Sequence, residues 1–126
     1  MKTKNMVSWF EIYVTDIDRA KKFYETILGK VLNKMPVPEE LGMEMWAFPW
    51  IDDAPNAAGA LVKSEMGQPS SSGTIIYFDS EDCSELSKVE EAGGKILLPK
   101  TPVEGFGHFC LISDTDGNTV GFFSSK

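Results

Sequence analysis

The sequence is poor in the residues on which disulfide-stabilised and transition-metal proteins depend. Its 126 residues include two cysteines, Cys83 and Cys110, and a single histidine, His108. Two cysteines do not make the disulfide framework of a small secreted domain, and a chain of this length buries enough surface to fold without one. No apolar segment follows Met1, and no apolar run is long enough to span a membrane. These absences predict a cytoplasmic protein with no membrane partner.

Positive charge is also scarce, because the chain has 12 Lys and Arg residues but 19 Asp and Glu residues, which gives a formal net charge of −7. Nucleic acid binding requires clustered cations that displace counterions from the phosphate backbone, and an anionic membrane surface makes a similar demand. The sequence therefore predicts no nucleic-acid partner. The acidity is interpreted as an aid to solubility.

The first half of the chain contains a strand followed by an amphipathic helix. Residues 7–14 are rich in β-branched and aromatic residues, which is typical of a strand. Thr15 and Asp16 are favoured at helix N-caps, and Gly29 can end the helix by adopting the left-handed conformation. Between these signals, apolar residues follow the helical period: Ala20, Phe23, Tyr24, Ile27 and Leu28.

The second half repeats this design. Residues 74–79 predict a strand, Ser80 or Asp82 is expected to cap a second helix, and Gly93 and Gly94 end it. The apolar side of this helix is expected to consist of Cys83, Leu86, Val89 and Ala92. When the first half is aligned with the second half without gaps, identical or similar residues coincide: Gly29 with Gly94, Lys30 with Lys95, Val31 with Ile96, Leu32 with Leu97 and Tyr13 with Phe78. This agreement favours an internal duplication.

Three strand candidates follow each predicted helix. They are residues 31–36, 42–50 and 57–64 in the first half, and residues 95–101, 107–113 and 118–124 in the second half. We therefore predict an α+β fold of two tandem βαβββ modules that pair into a cupped mixed β-sheet with the helices outside. Module one spans about residues 6–63, a polar linker about 64–73, and module two about 74–125.

Three segments carry a resemblance to a known group of proteins: FEIYVTDIDRAKKFYETILGK, DCSELSKVEEAGGKILLPK and GHFCLISDTDGNTVGFF. In this order they resemble the vicinal oxygen chelate superfamily, which includes glyoxalase I, bleomycin-resistance proteins and extradiol dioxygenases. The resemblance covers nearly the whole chain. It implies the duplicated fold, a pocket between the modules and a homodimer.

The resemblance also implies where a divalent metal would be held in the metal enzymes of that superfamily. Their four ligands lie on equivalent strands of the two modules. The first position falls on Trp9, the third on Thr74 and the fourth on Gly121, while the second falls near Ala60 or Leu61. None of these residues is a metal ligand of the required kind. We therefore expect no metal and no other cofactor.

Strand alternation predicts which side chains line the pocket. One face is expected to carry Trp9, Glu11 and Tyr13 from the first strand, Thr74, Ile76 and Phe78 from the fifth, and Thr119, Gly121 and Phe123 from the last. Such a lining suits a planar or apolar ligand. An ionised carboxylate that faces a closed core without a partner is costly. Glu11 is therefore expected to meet solvent in an open pocket or to have a hydrogen-bond donor nearby, for which Tyr13 is a candidate. In an open pocket Glu11 would orient a cation or a donor group of the ligand. Alternatively, Trp9, Phe78 and Phe123 simply fill the cup as core.

His108 is a further pocket candidate. It follows a glycine-rich turn and is the one side chain here that normally titrates near neutrality. It would serve as a general base only if a substrate came within hydrogen-bonding reach. The favoured interpretation is a partly exposed histidine that forms a hydrogen bond with the backbone.

Three functions remain open. The first is a metal-free protein that binds or sequesters a small molecule, the second an enzyme of glyoxalase, isomerase or dioxygenase type, and the third a structural or regulatory domain whose pocket is vestigial. The missing metal ligands favour the first over the second.

Overall fold

The computed structural model describes residues 5–84 and 86–126, which form two four-stranded mixed sheets. Module one contains β1 (Trp9–Tyr13), α1 (Ile17–Leu28), β2 (Asn33–Lys34), a 3-10 turn (Glu39–Leu41), β3 (Met43–Ala47) and β4 (Ala58–Ser64). Module two contains β5 (Ile76–Asp79), α2 (Ser87–Glu91), β6 (Lys95–Val103), β7 (Gly107–Ser113) and β8 (Thr119–Ser124). The strand orders are β1-β4-β3-β2 and β5-β8-β7-β6, and the first pair of each sheet is parallel. The expected α+β fold of two tandem βαβββ modules is confirmed.

None of the helices in residues 5–84 and 86–126 is long and apolar enough to cross a membrane.

Helix α1 begins and ends as its sequence predicts. The Asp16 side chain accepts a hydrogen bond from the backbone N–H of Arg19 over 3.1 Å, which satisfies one of the free donors of the first turn. Gly29 has a φ of 65°, and its N–H donates to the carbonyl of Glu25. Both signals act within a few residues of the chain, so they can be read without knowledge of the tertiary fold.

Helix α2 is shorter than expected, and the prediction that Ser80 or Asp82 caps it is wrong. The helix begins at Ser87, and Leu86 precedes it without a side-chain cap. Asp82 instead accepts hydrogen bonds from the Ser84 N–H over 3.0 Å and from Lys100 Nζ over 2.9 Å. An aspartate that bonds the backbone two residues ahead stabilises a turn in place of a helix start.

Each sheet has one face covered by helix. The main core cluster joins Ile12 and Leu61 of the first sheet to Phe23 and Tyr24 of α1, and Phe122 of the second sheet belongs to the same cluster. We call this side the helix-covered face and the opposite side the helix-free face. On the helix-free face of module one, a second cluster forms around buried residues Met45, Ala60 and Val62.

Strand β5 presents its residues to the opposite faces from those predicted. Ile76 lies opposite Val120 and Phe78 opposite Phe122 on the helix-covered side, whereas Gly121 lies opposite Tyr77. The expectation that Ile76 and Phe78 share a face with Gly121 and Phe123 was therefore wrong. A shift of one residue moves every side chain of a strand to the other face, and the ungapped alignment of the two halves was shifted by one residue at β5.

Polar contacts from the β7–β8 turn join the two modules. Tyr24 Oη donates to Asp114 Oδ2 over 2.7 Å within the core. Asp116 Oδ1 accepts from the Thr15 N–H over 3.0 Å and from Arg19 Nη2 over 2.7 Å. Because the Asp116 side chain is fully buried, these charge-assisted bonds fix where module two meets the start of α1.

Candidate functional site

A cleft of about 850 Å³ lies between the two modules. Its volume falls within the range of known small-molecule pockets. Residues from both modules line it: Asn5, Met6, Val7, Phe10, Leu28, Lys30, Phe48, Pro49, Ile51, Asn56, Ala57 and Ala58 from module one and the segment before it, and Ile75–Asp79 and Phe123 from module two.

Three of the aromatic residues that line the cleft, Phe10, Phe48 and Phe78, pack against one another. The Phe48 and Phe78 ring centroids are 5.5 Å apart, and those of Phe10 and Phe78 are 5.8 Å apart at an interplanar angle of 82°. Phe48 is only 6% exposed, so the surrounding core holds its ring in place. The lining is therefore built from rings that are already packed before any ligand arrives.

The position of Phe10 depends on a glycine on the neighbouring strand. Gly59 lies directly opposite Phe10 in the parallel pair of β1 and β4. A Cβ atom on Gly59 would lie 2.5 Å from Cδ2 of Phe10, so the ring occupies the space that a side chain would need. The glycine thus lets the ring lie close against β4.

The rim of the cleft is open and carries exposed apolar side chains. Met6 is 99% exposed and Ile51 is 77% exposed, although both line the cleft. Exposed apolar groups beside a concave surface are typical of binding sites. Polar groups also reach the rim, with opposite charges on Lys30 and Asp79.

A smaller hollow of about 290 Å³ lies next to the cleft, and Tyr77, Val103, Phe109 and Phe123 line it. The ring centroids of Tyr77 and Phe109 are 6.2 Å apart. Tyr77 and Phe123 line both the hollow and the cleft.

The predicted pocket residues of β1 lie together, but outside both cavities. Trp9, Glu11 and Tyr13 share the helix-free face of module one. Trp9 Nε1 donates to Glu11 Oε2 over 3.2 Å, so the indole is the donor to the carboxylate, a role for which Tyr13 was the sequence candidate. The Trp9 ring also meets Trp50 edge-on at 6.1 Å.

The predicted residues of module two are divided between two faces. Ile76, Phe78 and Phe123 line the cleft, while Gly121 is buried beneath the Tyr77 ring. Thr74 precedes β5 and is exposed, and it lines neither cavity.

His108 lies apart from these residues at the start of β7, opposite Ser124 and Pro102. Its Nδ1 is buried and has no hydrogen-bond partner within residues 5–84 and 86–126, so the expected backbone partner is not found at this atom. His108 lines neither cavity, so the structure does not bring it to the other candidates.

The sequence did not indicate Phe10, Ile75 or Tyr77 as pocket residues, although all three line the cleft. Matching Phe78 to Ile12, in place of Tyr13, would have given β5 its correct faces. The contribution of Phe10 and Phe48 depends on how the modules pack against each other, for which the local sequence carries no signal.

A family model for the Glyoxalase/Bleomycin resistance protein/Dioxygenase superfamily matches residues 6–122. The chain belongs to this superfamily.

Several relatives in this superfamily cover nearly the whole chain. Two curated relatives, both named "Putative glyoxylase CFP32", come from Mycobacterium bovis and Mycobacterium tuberculosis, and each is 28% identical over 121 residues. The match covers 94% of this chain but 45% of each relative, so the chain spans about half the length of these proteins.

Solved structures show the same fold. Glyoxalase I from Zea mays superimposes with a TM-score of 0.71 at 24% identity, covering 93% of this chain and 45% of that chain. TnmS3, an antibiotic binding protein from Streptomyces sp. CB03234, has a TM-score of 0.71 at 22% identity and covers 100% of both chains.

The residues at the superfamily's metal positions do not fit a divalent ion. The Trp9 indole offers only an N–H donor, which Glu11 occupies. Gly121 has no side chain, and a Cβ atom built there would lie 2.5 Å from Cδ2 and Cε2 of Tyr77. Within residues 5–84 and 86–126, no group of three or more His, Cys, Asp or Glu side chains is placed to hold a metal ion. If Ile75 replaces Thr74 at the third position, as the corrected strand faces favour, it supplies no ligand either.

Proposed function

We propose that this protein binds an apolar, planar small molecule in the cleft between its modules and does so without the superfamily's metal. The observation that carries the proposal is the cleft of about 850 Å³, whose lining includes Phe10, Phe48 and Phe78. A flat ring that stacks on one of these side chains gains about 0.5–1.5 kcal/mol beyond the burial of its area. The remaining affinity comes from apolar area removed from water.

The likeness to TnmS3 supports a binding role, because that protein is described as antibiotic binding and its chain has the same extent as this one. The residues at the metal positions give independent support. A protein that binds by stacking and burial has no need of a metal ligand at Trp9 or Gly121.

The alternative function is catalysis of the glyoxalase, isomerase or dioxygenase type. The mycobacterial relatives named as glyoxylases favour this alternative. It predicts lactoylglutathione lyase activity or turnover of a related substrate in the presence of a divalent metal. We expect no such activity from the purified protein, with or without added zinc or nickel.

We also propose that the protein forms a homodimer in the cytoplasm. Large apolar side chains outside the cleft remain exposed on the isolated chain, among them Leu41, Leu97 and Phe106. Association that covers part of this surface would be favoured by the hydrophobic effect. Sedimentation velocity at micromolar concentration is expected to give a dimer, and a clean monomer would contradict this part of the proposal.

Native mass spectrometry of freshly purified protein tests the binding function most broadly. It measures the mass of the intact assembly and so reports a bound small molecule, a metal ion and the number of subunits at once. We expect a dimer mass without a metal, and saturable binding of the uncharged dye N-phenyl-1-naphthylamine in a parallel fluorescence titration. A stoichiometric metal, or no dye binding at any concentration at which the dye is soluble, would contradict the proposal.

A further inference from the structure

We propose that Cys83 and Cys110 are a redox-sensitive pair, which a peroxide converts to a disulfide in the folded protein and a thiol reductant restores. The bond would join the turn before α2 to the middle of β7. Both thiols are free, and they are the only cysteines of the chain. Neither residue lines the cleft, so this inference is independent of the proposed ligand.

The meeting of the two cysteines is the first observation. Cys83 lies between β5 and α2 and Cys110 lies on β7, so the fold brings them together from separate elements. Both belong to the main core cluster, with exposures of 2% and 0%. Burial raises the pKa of the Cys110 thiol, and the charge and a hydrogen bond of Cys83 raise it further. A hydrogen bond between the thiols requires that their sulfur atoms are neighbours.

The contacts of Ser124 are the second observation. The N–H of Cys83 donates to Ser124 Oγ over 3.2 Å, and the same Oγ lies 3.2 Å from Cys83 Sγ. Cys110 lies opposite Phe122 in the antiparallel pair of β7 and β8. Ser124 follows Phe122 by two positions and faces the same side of β8, so it is a diagonal neighbour of Cys110. The serine thus holds Cys83 beside the strand position that carries Cys110.

The element that carries Cys83 is the more easily opened of the two. The flanking residues Asp82 and Ser84 are exposed, and α2 is five residues long and begins without a side-chain cap. Strand β7, in contrast, is paired on both sides, to β6 and to β8. Segments with few buried contacts open locally while the rest of a fold stays intact. We therefore expect opening of this turn to expose Cys83 to a small oxidant, and closing to return its sulfur to Cys110.

Hydrogen peroxide is the oxidant, and the reaction balances in two steps. The Cys83 thiolate attacks one peroxide oxygen, so that an S–O bond forms, the O–O bond breaks, and the departing hydroxide takes up the proton that the thiol released. The Cys110 sulfur then attacks the sulfenic acid of Cys83. An S–S bond forms, the S–O bond breaks, and the departing hydroxide takes the Cys110 proton. Two thiols are oxidised and one peroxide is reduced to two water molecules.

The test treats the reduced, full-length protein with hydrogen peroxide at about pH 8 under native conditions. N-ethylmaleimide added with urea then blocks every remaining thiol, and tryptic peptide mapping by mass spectrometry identifies the state of each cysteine. The map separates cysteine chemistry from oxidation of the exposed Met6 and Met66. Cys83→Ser and Cys110→Ser are the matched controls, since each keeps one thiol. Thermal melting compares the reduced, oxidised and dithiothreitol-treated forms.

We expect the peptides of Cys83 and Cys110 to be cross-linked within one chain, so that the protein runs as a monomer on non-reducing electrophoresis. The melting temperature of the oxidised form should be about 5–15 °C higher, because the bond constrains the unfolded chain. Dithiothreitol should restore the starting value, and neither single variant should show this reversible shift. The comparison of oxidised and reduced wild type needs no substitution, so it decides the matter even if a variant does not fold.

Three results would overturn the inference. Labelling of both cysteines by N-ethylmaleimide after prolonged peroxide treatment would show that the pair does not react in the folded protein. Sulfinic or sulfonic acid on Cys83 without a cross-link would show that Cys110 is not placed to resolve the sulfenic acid. A cross-link that lowers the melting temperature would show that the native packing resists the bond. Each result leaves the proposed function standing, because dye binding to the cleft is measured on the reduced protein.

Discussion

The hydroxyl of Tyr24 in module one donates a hydrogen bond of 2.7 Å to Asp114 Oδ2 in module two, and both side chains are buried. Burial raises the pKa of Tyr24 well above its usual value, and the charge of Asp114 raises it further. The hydroxyl therefore stays protonated and remains a donor at any ordinary pH. This pair joins the modules whose separation defines the cleft.

Removing the Tyr24 hydroxyl should weaken the module interface. We expect Tyr24→Phe to lower the free energy of unfolding by about 1–3 kcal/mol, because a buried carboxylate loses one of its donors. Urea unfolding followed by circular dichroism measures the change. Tyr13→Phe is the matched control, since the Tyr13 hydroxyl makes no hydrogen bond within residues 5–84 and 86–126. Equal stability of the two variants would show that the Tyr24 bond contributes nothing.

Stability should fall in alkaline solution through Cys110. Burial, followed by the charge of the neighbouring Cys83, raises the pKa of the Cys110 thiol from 9.0 to about 11. A group whose pKa is raised on folding stabilises the native state fully below its unfolded pKa, and this contribution is lost as the pH rises through the folded value. The loss therefore falls between pH 9 and about pH 11.

The Cys110→Ala variant isolates this effect from other groups that titrate in the same range. We expect its unfolding free energy to be lower at pH 8, because a cavity remains, but to decline less steeply above pH 9, by about 1 kcal/mol per pH unit. Urea unfolding at a series of pH values measures both slopes. Parallel curves for the wild type and the variant would show that Cys110 does not titrate as described.

The superfamily's metal should be absent and difficult to restore. Elemental analysis of dialysed protein is expected to find far less than one zinc, nickel, iron or manganese per chain. The Gly121→Glu variant reinstates a carboxylate at the fourth metal position, but its Cβ would collide with the Tyr77 ring. We expect this variant to bind no zinc and to lose about 1–3 kcal/mol of stability through overpacking. Stoichiometric metal in the wild-type protein would contradict the metal-free proposal.

The exposed carboxylate of Glu11, which accepts a hydrogen bond from the half-buried Trp9 indole, should matter little to stability. We expect Glu11→Gln to change the free energy of unfolding by less than about 0.5 kcal/mol, as is usual for surface substitutions. Because neither residue lines the cleft, the affinity for N-phenyl-1-naphthylamine should also be unchanged. A marked loss of affinity in Glu11→Gln would instead support the hypothesis that the ligand stacks on Trp9 with Glu11 orienting it.

Local signals predicted much of the fold. Asp16 and Gly29 define α1 because a cap and a left-handed stop act within one turn of helix. The alternation of β1 was also predicted, with Phe10 and Ile12 on the face opposite Trp9. These features depend only on neighbours in the sequence.

The site was less predictable, and β5 shows why. Its faces depend on a register that a one-residue shift reverses, so Phe78 was expected beside Gly121, the place that Tyr77 takes in the structure. The cleft is even less predictable from the sequence than the faces of β5. It forms where Phe10 and Phe48 of one module meet Phe78 of the other, and the packing of two modules leaves no periodic pattern along the chain.

The most direct test of the cleft as the binding site is a titration of N-phenyl-1-naphthylamine against Ile51→Asp and Met66→Asp. Ile51 lines the cleft and is 77% exposed, whereas Met66 is 81% exposed and lies elsewhere, so both variants add the same charge to an exposed loop. The account predicts about tenfold weaker binding to Ile51→Asp, because the dye must bury the rim beside a carboxylate, and unchanged binding to Met66→Asp. Equal affinity of the two variants would contradict it.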